Sequence, residues 1–467
     1  MNPRTFREYD IRGVADRDLD DATVRALGLA LGAQVAALGA SDPTADHAAP
    51  AAHGPIVVVG RDPRITSPRL FGALTDGLRV HVEVIDIGVV PTPVLYFAAA
   101  HLEPAAAVMI TGSHNPAEDN GFKIMVGRET LHGTAIATLR DQVAALLERP
   151  APHPTKAMHS RDVIGAYLDH ACAMLALGER RPKVVVDAGN GAGGPTAVAL
   201  YRRLGFDVVP LYCDLDGTFP NHHPDPTQPE NVADLIATVA REGAELGIAL
   251  DGDADRIGAV DATGRILWGD QLMILFGKAV LQEVPHAKFV GEVKCSQAMY
   301  DELAAAGGTA EMWKVGHSLI KARMKEIGAA LAGEMSGHMF FAHRWLGFDD
   351  AIYAGARLLE LLSRGDATLA ELADRLPAMI NTPELRIDCP DDQKFAVVAA
   401  VTARLRADPA VTGVVDVDGV RAKFADGWGL VRASNTQPAL VMRCEASTAA
   451  RLAEIRATIE AHIAAVS

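Results

Sequence analysis

The sequence predicts an α/β protein of four domains: three related α/β domains with mixed sheets and a smaller C-terminal α+β domain. Three observations lead there. β-Branched apolar runs alternate with stretches of helical periodicity through most of the chain, the rhythm of layered α/β architecture. The 467 residues exceed what a single core organises and suggest three or four domains. Strand-loop units that resemble one another recur at Gly60-Arg61-Asp62, Asp187-Ala188-Gly189-Asn190 and Asp251-Gly252-Asp253, a hint of repeated domains.

Taken in order, 55–60, 183–187 and 246–251 read as buried strands, being short apolar runs rich in Val and Ile. The segments 23–38, 67–78, 136–147 and 194–204 carry helical periodicity. Ala40 to Pro55 is rich in Ala, Pro and Asp with little to bury, and reads as a surface loop. Pro-rich Arg149 to Thr155 marks a first linker, Thr263-Gly264 a second, and Asn381-Thr382-Pro383, after a helix over 369–376, a third. The expected domains are 1–156, 157–262, 263–379 and 380–467. From about Leu385 the pattern is strand, helix, strand, strand, helix.

Composition narrows the class. A formal charge of −15 argues against a binder of nucleic acid or anionic membranes, so positive charge for an anionic substrate has to be gathered locally. The five cysteines lie far apart without a CxxC pair, which argues against a disulfide framework or structural zinc and fits a reducing compartment. The N-terminal MNPRTFREYDIRG has no apolar core of a signal peptide, and no run of about 18 apolar residues occurs. A cytoplasmic protein is expected.

The segment Val108 to Lys123, VMITGSHNPAEDNGFK, carries the most chemistry. An apolar strand ends in Gly-Ser-His-Asn-Pro and projects the Ser113 hydroxyl, with His114 beside it. Pro116 and Asp119-Asn120-Gly121 then hold the chain in turns before Lys123. A serine so presented suits covalent transfer chemistry. In LGIALDGDADR, Leu246 to Arg256, Asp251, Asp253 and Asp255 alternate behind a strand, separated by small residues that let the backbone curl. Three converging carboxylates call for a hard cation, and Mg²⁺ suits an all-oxygen set. Calcium in an EF-hand-like loop is disfavoured because Ala262 stands where a glutamate is required.

Further polar groups cluster downstream. Gly427 to Pro438, GWGLVRASNTQP, places Arg432, Ser434, Asn435 and Thr436 in a turn able to cradle a phosphate dianion. Gly333 to His338, GEMSGH, alternates Glu334, Ser336 and His338 towards one side. WKVGHS sets His317 just before a helix. Either histidine could shuttle protons near neutrality.

Together these motifs resemble the α-D-phosphohexomutase superfamily and, within it, the bacterial phosphomannomutase/phosphoglucomutase group. FREYDIRG, GRD, TGSHNP, NGFK, LDGDADR, VKCS, VGHS, GEMSGH, GFDD and RASNTQP occur in the expected order over nearly the whole chain. The resemblance implies a monomer with four domains around a central cleft, and a substrate that is a hexose phosphate. It implies that Ser113 carries a phosphoryl group and joins Asp251, Asp253 and Asp255 as a Mg²⁺ ligand. It assigns Arg256 to positioning that group, and Tyr9, Arg12, His114 and Lys123 to the active site. Lys294 and His317 become substrate contacts, Glu334 and Ser336 the pair for sugar hydroxyls with His338 beside them, and Arg432, Ser434, Asn435 and Thr436 the phosphate clamp. Glucose 1,6-bisphosphate or an equivalent is the implied activator. Ala254 departs from a glycine common in the metal loop, awkward if φ is positive there, and Ala351 follows GFDD where glycine is common. The alternatives are a phosphoglucosamine mutase, against which Met335 stands where glutamine would favour an amino sugar, a phosphatase using the same phosphoserine, and a non-catalytic sugar-phosphate binder.

Overall fold

A computed structural model describes residues 1–41, 55–150, 152–434 and 437–466. The chain forms two compact units, residues 1–268 with 336–371, and residues 269–335 with 372–467. Most of the surface loop expected over Ala40 to Pro55, with Asn435 and Thr436, lies outside the described residues.

The first unit is built on two mixed sheets. In one, Ala106–Ile110 is buried at every position and lies between Ile56–Arg61, parallel, and Asp119–Val126, antiparallel. Apolar runs of this kind suit strands covered on both faces. Helices Asp21–Ser41 and Ser67–Leu78 pack on this sheet's core. They cross at Gly28 and Gly77, where a Cβ on either would come 2.1 Å from a backbone carbonyl of the other helix. In the second sheet, Leu246–Leu250 lies between Val184–Asp187, parallel, and Ile257–Asp261, antiparallel. Both sheets therefore end a buried central strand in a loop that reverses into an antiparallel partner, and those two loops carry Ser113 and the aspartates.

Two expectations need correction. Asp119-Asn120-Gly121 is not a turn but opens the strand Asp119–Val126, with Lys123 in its middle. The residues are turn-formers, yet pairing with Ile11–Val14 overrides that preference. Gly121 is needed for closeness, since a Cβ there would meet the Ile11 carbonyl at 2.2 Å. The C-terminal region is also richer in strands than strand, helix, strand, strand, helix. Gly413–Val415, Val420–Phe424, Gly427–Ala433 and Ala439–Ala446 form one antiparallel run, to which Leu385–Asp388 and Ile380–Asn381 both add on Ala439–Ala446.

The second unit combines that sheet with a parallel one in which Lys288–Glu292 lies between Thr309–Trp313 and Leu331–Gly333. Helices Lys394–Ala407 and Ala449–Ala464 cover the antiparallel sheet. Among the described residues all five cysteines are free thiols, and no helix is long and apolar enough to cross a membrane.

Candidate active site

The serine loop begins where Ala106–Ile110 ends, the end of a strand at which open α/β sheets place their ligands. Asp62, at the end of the neighbouring strand, organises it. One carboxylate oxygen accepts from Thr111 Oγ1 at 2.8 Å and from the Gly112 N–H at 3.2 Å, and Thr111 Oγ1 accepts the Ser113 N–H at 2.8 Å. Ser113 is thereby held at φ 50°, a left-handed conformation that costs a residue bearing a Cβ about 1 kcal/mol or more. Its hydroxyl is buried, donates to Asp251 Oδ2 at 2.9 Å, and lies 3.2 Å from His114 Nδ1. Burial, then the charges of Arg256 and Arg12, push the pKa of His114 well below the usual imidazole range. Arg12 donates to Asn115 Oδ1 at 2.9 Å and pairs with Asp10, which brings FREYDIRG to the serine loop; Tyr9 is largely buried on the same segment.

The aspartate loop curls as its spacing suggests. Asp251 Oδ1 accepts the N–H groups of Asp255 at 3.0 Å and Arg256 at 3.1 Å. Ala254 sits at φ 60°, so the substitution noted in the sequence does fall on a position that favours glycine. Its methyl faces Gly193, where a second Cβ would be 2.5 Å away. Asp251, Asp253 and Asp255 are fully buried, with one oxygen of each within 4.8 Å of the others. Asp253 Oδ1 has no hydrogen-bond partner, and the donor set is all oxygen, so the residues fit a hard divalent cation. Lys123 donates to Asp253 Oδ2 at 2.7 Å and to Asp255 Oδ2. Burial works against its charge, but these two carboxylates outweigh it and hold its pKa well above the ordinary value. Thr92 Oγ1 also donates to Asp253 Oδ2, at 2.5 Å.

Arg256 and His338 meet across an isolated bridge. His338 Nε2 is 3.2 Å from Asp255 Oδ1 and 3.4 Å from Arg256 Nε. With a proton it donates to the carboxylate, and without one it accepts from the guanidinium, so both forms have a partner. Ser336 Oγ lies 3.4 Å from Nδ1 of the same ring.

In the second unit, Lys294 donates to Glu384 Oε2 at 3.1 Å. Burial lowers the pKa of Lys294, but Glu384, Glu292 and Glu334 raise it above the ordinary value, and Lys294 holds Glu384 at about 2. Glu334 accepts the Gly316 N–H at 2.8 Å, next to His317, the first residue of helix His317–Ile327. Asp418 Oδ2 accepts from Val315 N and Arg432 Nε, both at 3.0 Å, which ties VGHS to the arginine of RASNTQP. Ser434 Oγ accepts the Gln437 N–H at 3.2 Å. The expected sites thus fall into two clusters: Glu334, Lys294, His317, Arg432 and Ser434 in this unit, the remainder of the described ones in the first.

Models of the four phosphoglucomutase/phosphomannomutase domains match the chain: α/β/α domain I over 3–148, II over 165–264, III over 268–379, and the C-terminal domain over 384–462. The chain belongs to the phosphoglucomutase/phosphomannomutase family. It is 44% identical over 462 residues to a phosphomannomutase/phosphoglucomutase of Pseudomonas aeruginosa, covering 99% of this chain and 96% of that one. It is 43% identical to a phosphoglucomutase of Neisseria gonorrhoeae, over 98% and 96% of the two chains. A crystal structure of a phosphoglucomutase/phosphomannomutase family protein from Burkholderia thailandensis superposes with a TM-score of 0.89 at 40% identity, over 100% and 98%.

In this family member several supporting residues escaped sequence reading. Asp62 was visible only as part of GRD. Thr92, Asp418 and Glu384 gave no signal, because each reaches its partner through tertiary contact, and Glu292 joins the long-range Met335 N–H to the local Lys294 N–H. Asp350 of GFDD caps helix Ala351–Arg364 by accepting the Tyr353 N–H at 2.8 Å, and Tyr167 donates to both its oxygens at 3.1 and 3.0 Å. Burial raises this carboxyl to about 7. The unfolded chain releases the proton near pH ~4, so the native state binds more protons in between. The stabilisation is full in acid and lost as pH rises from about 4 through about 7. Asp350→Asn, which keeps an acceptor oxygen but cannot ionise, is expected to flatten that slope and to melt a few °C above the parent at about pH 8. Parallel melting curves from about pH 5 to about pH 8 would contradict it.

Proposed function

We propose that the chain is a phosphohexomutase, an isomerase that interconverts the 1-phosphates and 6-phosphates of mannose and glucose through a phosphoserine at Ser113 and a hexose 1,6-bisphosphate. The observation that carries this reading is the buried Ser113 hydroxyl 2.9 Å from the first of three clustered carboxylates, with Lys123 among them. A serine alone is a weak nucleophile, and this is the setting that activates one.

Asp251, Asp253 and Asp255, with the oxygen of Ser113, would hold Mg²⁺, which withdraws charge from a phosphoryl group. In the first half-reaction the Oγ–phosphorus bond of phospho-Ser113 breaks and a bond forms from phosphorus to O1 or O6 of the hexose monophosphate. The sugar hydroxyl gives its proton to a neighbouring base, and the departing Ser113 oxygen takes one up to become a hydroxyl again. The second half reverses this with the other phosphate, and Ser113 is phosphorylated again. Lys123 and Arg256 supply positive charge to the transferring group, the main requirement of phosphoryl transfer. His114 and His338 are the nearby groups able to accept a proton, while Lys123, held charged by Asp253 and Asp255, can only donate one.

Tyr9, Arg12, Lys294, His317, Glu334 and Ser336 are read as substrate contacts, and Arg432, Ser434, Asn435 and Thr436 as the holder of the phosphate that stays. Lys294 and Arg432 already face carboxylates, Glu384 and Asp418, so an arriving phosphate would compete with Glu384 and Asp418. The proposed domains are 1–156, 157–262, 263–379 and 380–467, and glucose 1,6-bisphosphate is the proposed activator. The test is initial rates on the 1-phosphates of mannose, glucose and glucosamine with Mg²⁺ and a trace of the bisphosphate. Comparable rates on mannose and glucose with glucosamine far behind are expected. Preference for glucosamine would move the chain to phosphoglucosamine mutases, and no turnover of any would overturn the reading.

A further inference from the structure

Arg64 has no part in the reaction outlined above, yet its side chain is fully buried beneath the serine loop. Its Nε donates to Asp62 Oδ2 at 3.0 Å. One terminal nitrogen donates to the carbonyls of Ser113 and Asn115, both at 2.7 Å. The other donates to the Asp119 carbonyl at 2.9 Å and to that of Pro116. A guanidinium has five N–H groups in a rigid plane, and here all five are used. Four go to the backbone of one loop, the fifth to the aspartate that organises the same loop from its other end.

Gly112 lets the guanidinium lie flat against the chain, since a Cβ there would be 2.6 Å from Arg64 Cζ. Phe219 covers it, its ring centroid 4.9 Å from Cζ. Because peptides are planar and no cis bond occurs among the described residues, a Ser113 carbonyl turned to Arg64 puts the His114 N–H on the opposite side. Arg64 thus fixes the peptide that follows the serine, while Asp62 and Thr111 fix the one before it; held from both sides, Ser113 keeps its strained φ of 50° with Oγ on Asp251.

We propose that Arg64 is a positioning residue for the nucleophile, a buried five-donor template that holds the Ser113 loop in its strained, transfer-competent conformation. The proposal rests on the reading of Ser113 as phosphoryl carrier. A lysine offers three donors from one point and cannot span four carbonyls and a carboxylate. Arg64→Lys is therefore expected to lower kcat about 100-fold, the scale of a misplaced reacting group, with KM for the hexose phosphate changed by less than about threefold. Phosphorylation of Ser113 by glucose 1,6-bisphosphate, followed by intact mass, is expected to slow by a similar factor.

A cooperatively melting Arg64→Lys protein with kcat within about threefold of the parent would overturn the proposal. If that variant does not fold, Phe219→Ala decides. It leaves Asp62 and its hydrogen bonds to the serine loop in place but uncovers the guanidinium, whose Cζ lies 4.9 Å from the ring centroid, and a loss of about tenfold in kcat at unchanged KM supports the proposal, whereas unchanged kcat overturns it. Failure of the parent protein itself to gain phosphate at Ser113 would instead refute the phosphoserine reading, and the Arg64 assignment with it.

Discussion

Ser113→Ala is expected to lower kcat by at least about 10³-fold, because in the proposed scheme Ser113 forms the covalent intermediate, a role with no partial substitute. The fold should barely notice. Alanine keeps the Cβ, so the positive φ is no more strained than before. The loop remains fixed by Asp62, Thr111 and Arg64, none of whose hydrogen bonds to it uses the serine hydroxyl. Asp251 loses one donor but keeps the N–H groups of Asp255 and Arg256 on its other oxygen. A melting temperature within a few °C of the parent is expected. Labelled phosphate from a hexose bisphosphate should enter the parent protein and not the variant. Near-full mutase activity in Ser113→Ala would sink the covalent scheme.

How far the sequence reached depended on whether a feature was local. Ser113 and the three aspartates were legible because a buried strand, a small-residue loop and a cluster of polar side chains all lie within a few consecutive positions, and local pattern is what a sequence displays directly. The central strands were legible for the same reason, 183–187 and 246–251 each ending within a residue of Val184–Asp187 and Leu246–Leu250. The start of the strand Asp119–Val126 was misread because Asp-Asn-Gly is turn chemistry, and the pairing that extends these residues is with Ile11–Val14, more than a hundred residues earlier. Arg64, Thr92 and Asp418 act across separations of 49, 161 and 103 residues. No periodicity or spacing records such contacts. What was hidden is therefore the support of these loops, while the groups proposed to react were open to view.

Asp253→Asn separates a metal-binding role from a structural one, because the two predict opposite changes in stability. If the aspartates merely held the fold together, loss of one would weaken it. Here three buried carboxylates crowd within 4.8 Å, and burial with the charges of Asp255 and Asp253 already pushes Asp251 well above the usual carboxylate range. Removing the charge at 253 relieves that repulsion. Lys123 is not orphaned, since Asp255 remains beside it, and the amide oxygen can still accept from Thr92 Oγ1. The unpartnered Asp253 Oδ1 is free for a cation, and an amide is a poorer ligand for a hard ion than a carboxylate. The variant is thus expected to melt at or a few °C above the parent measured without metal, and to lose at least about 10³-fold in kcat. Chelation should inactivate the parent reversibly, with Mg²⁺ restoring it but failing to rescue the variant at any concentration. An Asp253→Asn protein that keeps a tenth or more of the activity, a loss of at most about 1.4 kcal/mol of transition-state stabilisation, would mean that the remaining carboxylates, Asp251 and Asp255, suffice without it. A variant that unfolds instead would return Asp253 to a structural role.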